Sequence, residues 1–317
     1  MIKYLSLFLT LFLFSCSELT ETSSTAETEL AAPSSALTSS YRGVPGLTTT
    51  ESHYSVDQSF DNLDAIVTGN PNLRVILRID HSGNAAANGL DLRPTKLLVF
   101  GNPNLGTPLM QRNQFAGLDL PQKVLFYEQE DGTVLARYNS VEYLASRHAL
   151  HGAPQLDIIR GAVKGLTEGA TGGEVQEAHP NYVSFREGIE KRSSPYSFEE
   201  TYSRLRAAID DNPNLRIVTE IDHAANAANA GLDLNPTRLI VFGNPLVGTP
   251  FMQAKQSIGI DLPQKMLVVE DERGRVYIAF NSIGWLARQR HSITGEDGRV
   301  AAVTGVLRGL AATATSK

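Results

Sequence analysis

The chain has a single cysteine, Cys16, in 317 residues. No internal disulfide can form, so each folded unit must stand on its hydrophobic core. There is no G-x-S-x-G, H-E-x-x-H or C-x-x-C run and no phosphate-binding glycine loop. Cysteine chemistry and most cofactor chemistry therefore have no motif here, and no cofactor is expected. Basic clusters are also missing. The net charge is −6 with Lys and Arg scattered, which excludes the basic stripe of a nucleic-acid binder. No apolar run reaches the roughly 20 residues that span a bilayer as a helix; Tyr4–Phe14 falls short of that length.

What that short run offers instead is an export signal. Lys3 supplies the positive start, and the run closes on Leu13-Phe14-Ser15-Cys16. This ending resembles a bacterial lipoprotein signal, with residues 1–16 as the signal segment and Cys16 as the lipidated residue. A plain secretory signal with an incidental cysteine, or an uncleaved anchor, would use the same run. Residues 17–52 are rich in Ser, Thr, Glu and Ala. Such a stretch cannot bury enough surface to offset its ordering entropy, so a disordered tether is expected. The expected location is the bacterial cell envelope, lipid-anchored to the membrane through Cys16 and facing the periplasm or the cell surface.

The rest is written twice. Phe100–Lys123 reads FGNPNLGTPLMQRNQFAGLDLPQK and Phe242–Lys265 reads FGNPLVGTPFMQAKQSIGIDLPQK, a constant offset of 142 residues. The offset extends back to Asp80-His81 and Asp222-His223, and to the Asn-Pro-Asn-Leu-Arg runs at 70–74 and 212–216. Matching Gly165-Leu166 to Gly309-Leu310 needs 144, so small insertions fall after Ala145. An internal duplication of this kind sets the architecture before any residue chemistry is considered. The expected domains are 53–168 and 196–312, with a linker over 169–195 and a tail at 313–317.

Within each copy the periodicity predicts a helix (Phe60, Leu63, Ile66 and Val67 on one face), then a strand from Arg74 to Asp80. A small-residue loop at 82–89 and an apolar strand, Thr95–Phe100, come next. Thr107-Pro108 reads as a helix start and Gly117 as its stop. A hairpin over Asp131-Gly132, a helix capped by Ser140 and a last helix from Leu156 complete the unit. This is an α+β fold, an antiparallel sheet with helices packed on it, and the two copies are expected to pack as a pseudo-dimer.

In order, the repeated motifs are Asp-His at a strand end, Phe-Gly-Asn-Pro, Gly-Thr-Pro-hydrophobic-Met and Asp-Leu-Pro-Gln-Lys. The chain resembles the DUF302 family in these motifs, over most of 55–166 and 197–310. The resemblance implies a β-α-β4-α arrangement like that of the TATA-binding protein, and it implies no reaction. Shared fold alone would not carry DNA binding to this acidic chain.

The topology suggests that Asp80, His81, Asn102 and Thr107 converge, with Lys123 adding a positive charge. The second set would be Asp222, His223, Asn244, Thr249 and Lys265. A helix N-terminus and a lysine suit a small ligand, an anionic one included, and a histidine beside an aspartate could carry protons near neutral pH. Each residue also has a plainer use: Asn and Thr as turn formers and caps, Asp and His as partners of the following loop. The first functional reading is a binding module for a small molecule. The alternatives are a hydrolase-type enzyme with His81 or His223 as general base, and a structural envelope protein. His148-x-x-His151 lacks a third ligand and does not make a metal site. Arg78 and Glu220 hold the same repeat position with opposite charge, which suggests a contact across the pseudo-two-fold axis.

Overall fold

The computed structural model describes residues 44–176 and 183–317. Cys16, the apolar run before it and most of the expected tether lie outside the described residues. The first repeat comprises β1 (Leu47–Ser52), α1 (Val56–Gly69), β2 (Arg74–Asp80), α2 (His81–Ala86), β3 (Thr95–Gly101) and α3 (Pro103–Arg112). A 3-10 turn (Gln114–Leu118), β4 (Gln122–Glu128), β5 (Val134–Asn139), α4 (Val141–His148) and α5 (Gln155–Thr171) complete it. The second repeat runs through β6 (Ile189–Ser194), α6 (Phe198–Asp210), β7 (Arg216–Asp222), α7 (His223–Asn229), β8 (Thr237–Gly243) and α8 (Pro245–Ala254). It ends with a 3-10 turn (Gln256–Ile260), β9 (Gln264–Glu270), β10 (Val276–Asn281), a π-helical segment (Trp285–Arg290) and α9 (Asp297–Thr315). The strands form two antiparallel sheets, ordered β1-β5-β4-β3-β2 and β6-β10-β9-β8-β7.

The near-continuous apolar run of β3 follows from burial on both faces. Leu98 and Phe100 join Phe60, Leu63 and Val67 of α1 in the main core. Leu97 and Val99 point the other way, and with Leu125 and Leu135 they enclose Ile260 from the second repeat. The reciprocal cluster places Leu118 of the first repeat among Leu239, Val241, Leu267 and Val269. Each 3-10 turn thus packs into the open face of the other repeat's sheet.

Several expected boundaries move. The tether does not reach residue 52, because Leu47–Ser52 is the edge strand β1, paired with β5. Within the expected linker 169–195, α5 continues to Thr171 and Ile189–Ser194 is the edge strand β6. The last helix runs to Thr315, into the expected tail. Both edge strands (LTTTES and IEKRSS) are mainly polar, so apolar alternation cannot reveal them; pairing with β5 and β10 forms them. The stretch expected as a loop after Asp80 begins with the short helix α2, capped by the Asp80 carboxylate on Gly83 N–H (2.7 Å). Helix α3 begins at Pro103, not Thr107: Asn102 Oδ1 accepts from Asn104 N–H (2.9 Å), and Thr107 lies buried inside the helix. It ends at Arg112, ahead of Gly117.

Arg78 and Glu220 do not meet. Arg78 pairs with Asp64 (2.7 Å) and Glu220 with Arg206 (3.1 Å), each inside its own repeat. Asp64 and Arg206 are themselves repeat equivalents, so the whole ion pair is reversed in polarity between the copies. The first of the late insertions is also explained. One residue separates Ala145 from Arg147 and two separate Ala287 from Arg290. The extra residue is absorbed as the π-helical segment, the usual form of a single insertion in an α-helix.

Candidate functional site

Two cavities sit at the repeated motif, and both are built from the two repeats together. The first, about 110 Å3, lies between α3, Pro121-Gln122 and α5, and His223 and Asn226 of the second repeat form part of its wall. The second, about 580 Å3, lies between α8, Pro263-Gln264 and α9, and its wall includes His81 and Asn84 of the first repeat. The expected convergence within one repeat is therefore corrected. Each histidine leaves the end of its own β-strand and meets the motif of the other copy. Asp80-His81 belongs with Asn244 and Thr249, and His223, without Asp222, lies opposite Asn102 and Thr107.

Close approach fixes this exchange. His81 Nε2 lies 3.2 Å from the Gly259 carbonyl, which can only accept, so the Nε2 proton is held there. His223 approaches the Gly117 carbonyl without reaching good hydrogen-bond geometry, and its Nε2 has no partner among the described residues. A Cβ on Gly117 would stand 3.3 Å from His223 Nε2, and one on Gly259 3.6 Å from His81 Cδ2. Burial pushes both histidines down to about 4, against the glycine carbonyl and the neighbouring aspartate that favour the charged form. Both rings are neutral at pH 7.

The aspartates do not activate the histidines. Asp80 accepts from Gly83 N–H and Ser82 Oγ, and Asp222 from Ala225 N–H and Arg238. Neither lysine lines the cavity of its own motif. Neighbouring side chains on a strand face opposite ways: Gln122 and Gln264 line the cavities. Lys123 and Lys265 extend to the other face and donate to the carbonyls of Asp119 and Asp261 (2.9 Å each). Asn102 and Asn244 act as caps, so the first free N–H groups of α3 and α8 already have acceptors. Gly101 and Gly243 are held by packing, since a Cβ there would come within 3.0 and 3.1 Å of the Pro121 and Pro263 rings. Much of the repeated motif is scaffold.

Sequence reasoning missed a buried polar cluster on the axis between the repeats. Arg147 binds Asp119 (2.8 Å) and reaches across to Asn281 (2.8 Å). Arg290 binds Asp261 (3.1 Å) and reaches back to Asn139. His148 and His291 hydrogen-bond the same two carboxylates, at 2.7 and 2.8 Å. The Tyr143 hydroxyl accepts from both arginines (2.8 and 2.7 Å). Burial disfavours ionised Asp119, yet Arg147 beside it and the His148 hydrogen bond outweigh that and hold the carboxyl well below its usual range. The signal was present: Asp119 and Asp261 recur in the motif, and an Arg-His pair follows each. A change of offset to 143 hid the pairing of Arg147 with Arg290. His148 serves this cluster, and among the described residues no group of His, Cys, Asp and Glu side chains could hold a metal ion.

Fold and site together define a duplicated α+β protein whose two halves complete each other's cavities. The sequence matches the family described as "Domain of unknown function DUF302" over residues 48–166 and 189–310. The chain belongs to that family, with the domain present twice. It is similar to the fluoride-specific ion channel FluC 1 of Brucella suis biovar 1, 40% identical over 130 residues, covering 41% of this chain and 50% of that protein. FluC 1 of Brucella abortus biovar 1 is likewise 40% identical over 130 residues, covering 41% and 47%. The chain thus spans about half the length of the curated relatives it matches. A crystal structure of a DUF302 protein from Bacillus stearothermophilus is similar at 16% identity and a TM-score of 0.37, covering 40% of this chain and 98% of that one. Among the described residues no helix is long and apolar enough to cross a membrane.

Proposed function

We propose that the protein is an exported, lipid-anchored binding module, and that its ligand is a small, mainly apolar molecule with one polar or anionic end. The observation that carries this reading is the 580 Å3 cavity of the second repeat, within the range of small-molecule sites. Its wall is formed largely by apolar side chains such as Phe251, Met252, Leu262, Val303 and Leu307. Polar groups are set among them, including Asp80, His81, Asn84, Thr249 and Gln264, with the Asp80 carboxylate already engaged by Gly83 N–H and Ser82 Oγ. Arg216 also lines the cavity, is exposed, and has no carboxylate partner among the described residues. It is the group suited to an anionic end. Binding is favoured over hydrolysis because a general base works best with a pKa near the working pH. His81 is held near 4, with its Nε2 proton on Gly259. The N-terminal run and Cys16 support the export and anchoring part of the proposal.

Titration calorimetry with octanoate, decanoate and their neutral alcohols tests the ligand class. Wild type is expected to bind at least one saturably, and Val303→Trp to lose that binding while keeping its melting temperature. Equal binding by wild type and Val303→Trp would place the ligand elsewhere, and no saturable binding by wild type would remove the reading. Membrane fractionation of Cys16→Ala against wild type tests the anchor.

A further inference from the structure

The interior between the repeats is short of negative charge. Asp119 and Asp261 are accompanied by Arg147, Arg290, Lys123 and Lys265, four basic side chains to two carboxylates, and only Lys265 among the four is held as low as about 7. Burial keeps His148 below its usual range and His291 at about 4, so the histidines add no charge at neutral pH. The carboxylates are already engaged by an arginine and a histidine each. Lys123, only 5% exposed, makes one hydrogen bond to a backbone carbonyl, and Lys265 makes the equivalent one. An ammonium can make three. Neither lysine has a carboxylate within ion-pair distance among the described residues.

Acceptors are short as well as charge. Arg290 Nε and Asn139 Nδ2, both buried in the cluster though outside the wall of the cavity beside it, have no acceptor among the described residues. Burying charged and polar donors in this way is costly unless something compensates them. Beside the cluster lies a cavity of about 30 Å3 between the sheets, its wall apolar (Leu97, Val99, Leu239, Val241) except for Lys123 and Lys265. The two lysines are repeat equivalents, one from each copy.

We propose that this cavity binds one single-atom, monovalent anion of halide size between the two lysines. The space admits about one or two bodies of water size, which is too little for a tetrahedral oxyanion. Water would supply an acceptor without the charge. The choice rests on two lysines lining one cavity with no carboxylate at ion-pair distance among the described residues, and repulsion from Lys123 adds to burial in holding Lys265 down to about 7. An anion bound to both would relieve that repulsion and tie the two repeats together at their axis.

The test is thermal unfolding of the full-length chain in sodium gluconate, with fluoride, chloride or bromide replacing gluconate at constant ionic strength. Saturable stabilisation by halide, bromide included, is expected, on the order of 5 °C at a hundredfold excess over Kd. Lys123→Met/Lys265→Met should lose the response. Val303→Trp, which fills the other cavity, should keep it, so this result stands apart from the ligand proposed above. A response that is linear in every salt, or unchanged in the double variant, overturns the proposal. Should the double variant not fold, bromide-soaked wild-type crystals decide. An anomalous peak between Lys123 and Lys265 supports the site, and a soak without one refutes it.

Discussion

One motif, written twice, encloses about 110 Å3 in the first repeat and about 580 Å3 in the second. The scaffold is the same in both: an Asn cap, a glycine against a cis proline, a glutamine on the cavity side and a histidine from the other copy. The difference lies in the walls. Leu105, Ile76 and Ile159 of the small cavity become Val247, Val218 and Val303 in the large one, each a methylene shorter. Ala162 and Val163 change the other way, to Val306 and Leu307, so side-chain size is only part of the cause. The two extra residues ahead of the equivalent part of α9 are the other difference. A duplication keeps what holds the backbone and lets the enclosed space diverge.

The comparison breaks most severely at the axis. Asp119→Ala and Asp261→Ala each leave an arginine buried without its carboxylate, at a cost of about 3–5 kcal/mol in urea unfolding. Asp119 should cost more, because it also accepts from the Tyr143 hydroxyl (3.4 Å) and the equivalent Trp285 turns to Glu187 instead. Equal losses would show that the Tyr143 contact adds nothing.

The histidines give the next effect. Their folded pKa of about 4 lies below the usual 6.5. Between those values the unfolded chain binds protons that the native state does not. Stability is therefore complete above about pH 6.5 and falls as pH drops toward 4, by up to about 3 kcal/mol per histidine. His81→Leu and His223→Leu should each flatten that slope in pH-dependent unfolding. An unchanged slope in both would assign it to His148 and His291.

Smaller still is the response to filling. Ile159→Phe overpacks the tight cavity and should cost about 1–3 kcal/mol. The equivalent Val303→Phe has room and should lower the melting temperature little or not at all. Similar losses in both would mean that the larger cavity closes in solution. The least effect belongs to the reversed surface pair: Arg78→Ala and Glu220→Ala should each cost about 0.2–1 kcal/mol. The charge-swapped double variant Asp64→Arg/Arg78→Glu should stay close to wild type in denaturant midpoint.

The sequence alone determined the duplication, the α+β class, the apolar core strands and the cap at Ser140. These rest on spacing and local chemistry, which are written along the chain. It also marked His81, Asn102 and their counterparts as belonging to one recurring set. Tertiary structure decided which copy each histidine serves, because a strand end points wherever the sheet is packed. It decided that Lys123 and Lys265 leave the motif cavities and line one small cavity between the sheets, since alternation along a strand tells the face but not what covers it. The polar edge strands β1 and β6 exist only through pairing with β5 and β10. The Arg147–Asp119 and Arg290–Asp261 cluster stayed hidden for the same reason: its partners lie far apart in sequence, and only burial between two packed sheets makes their charges matter.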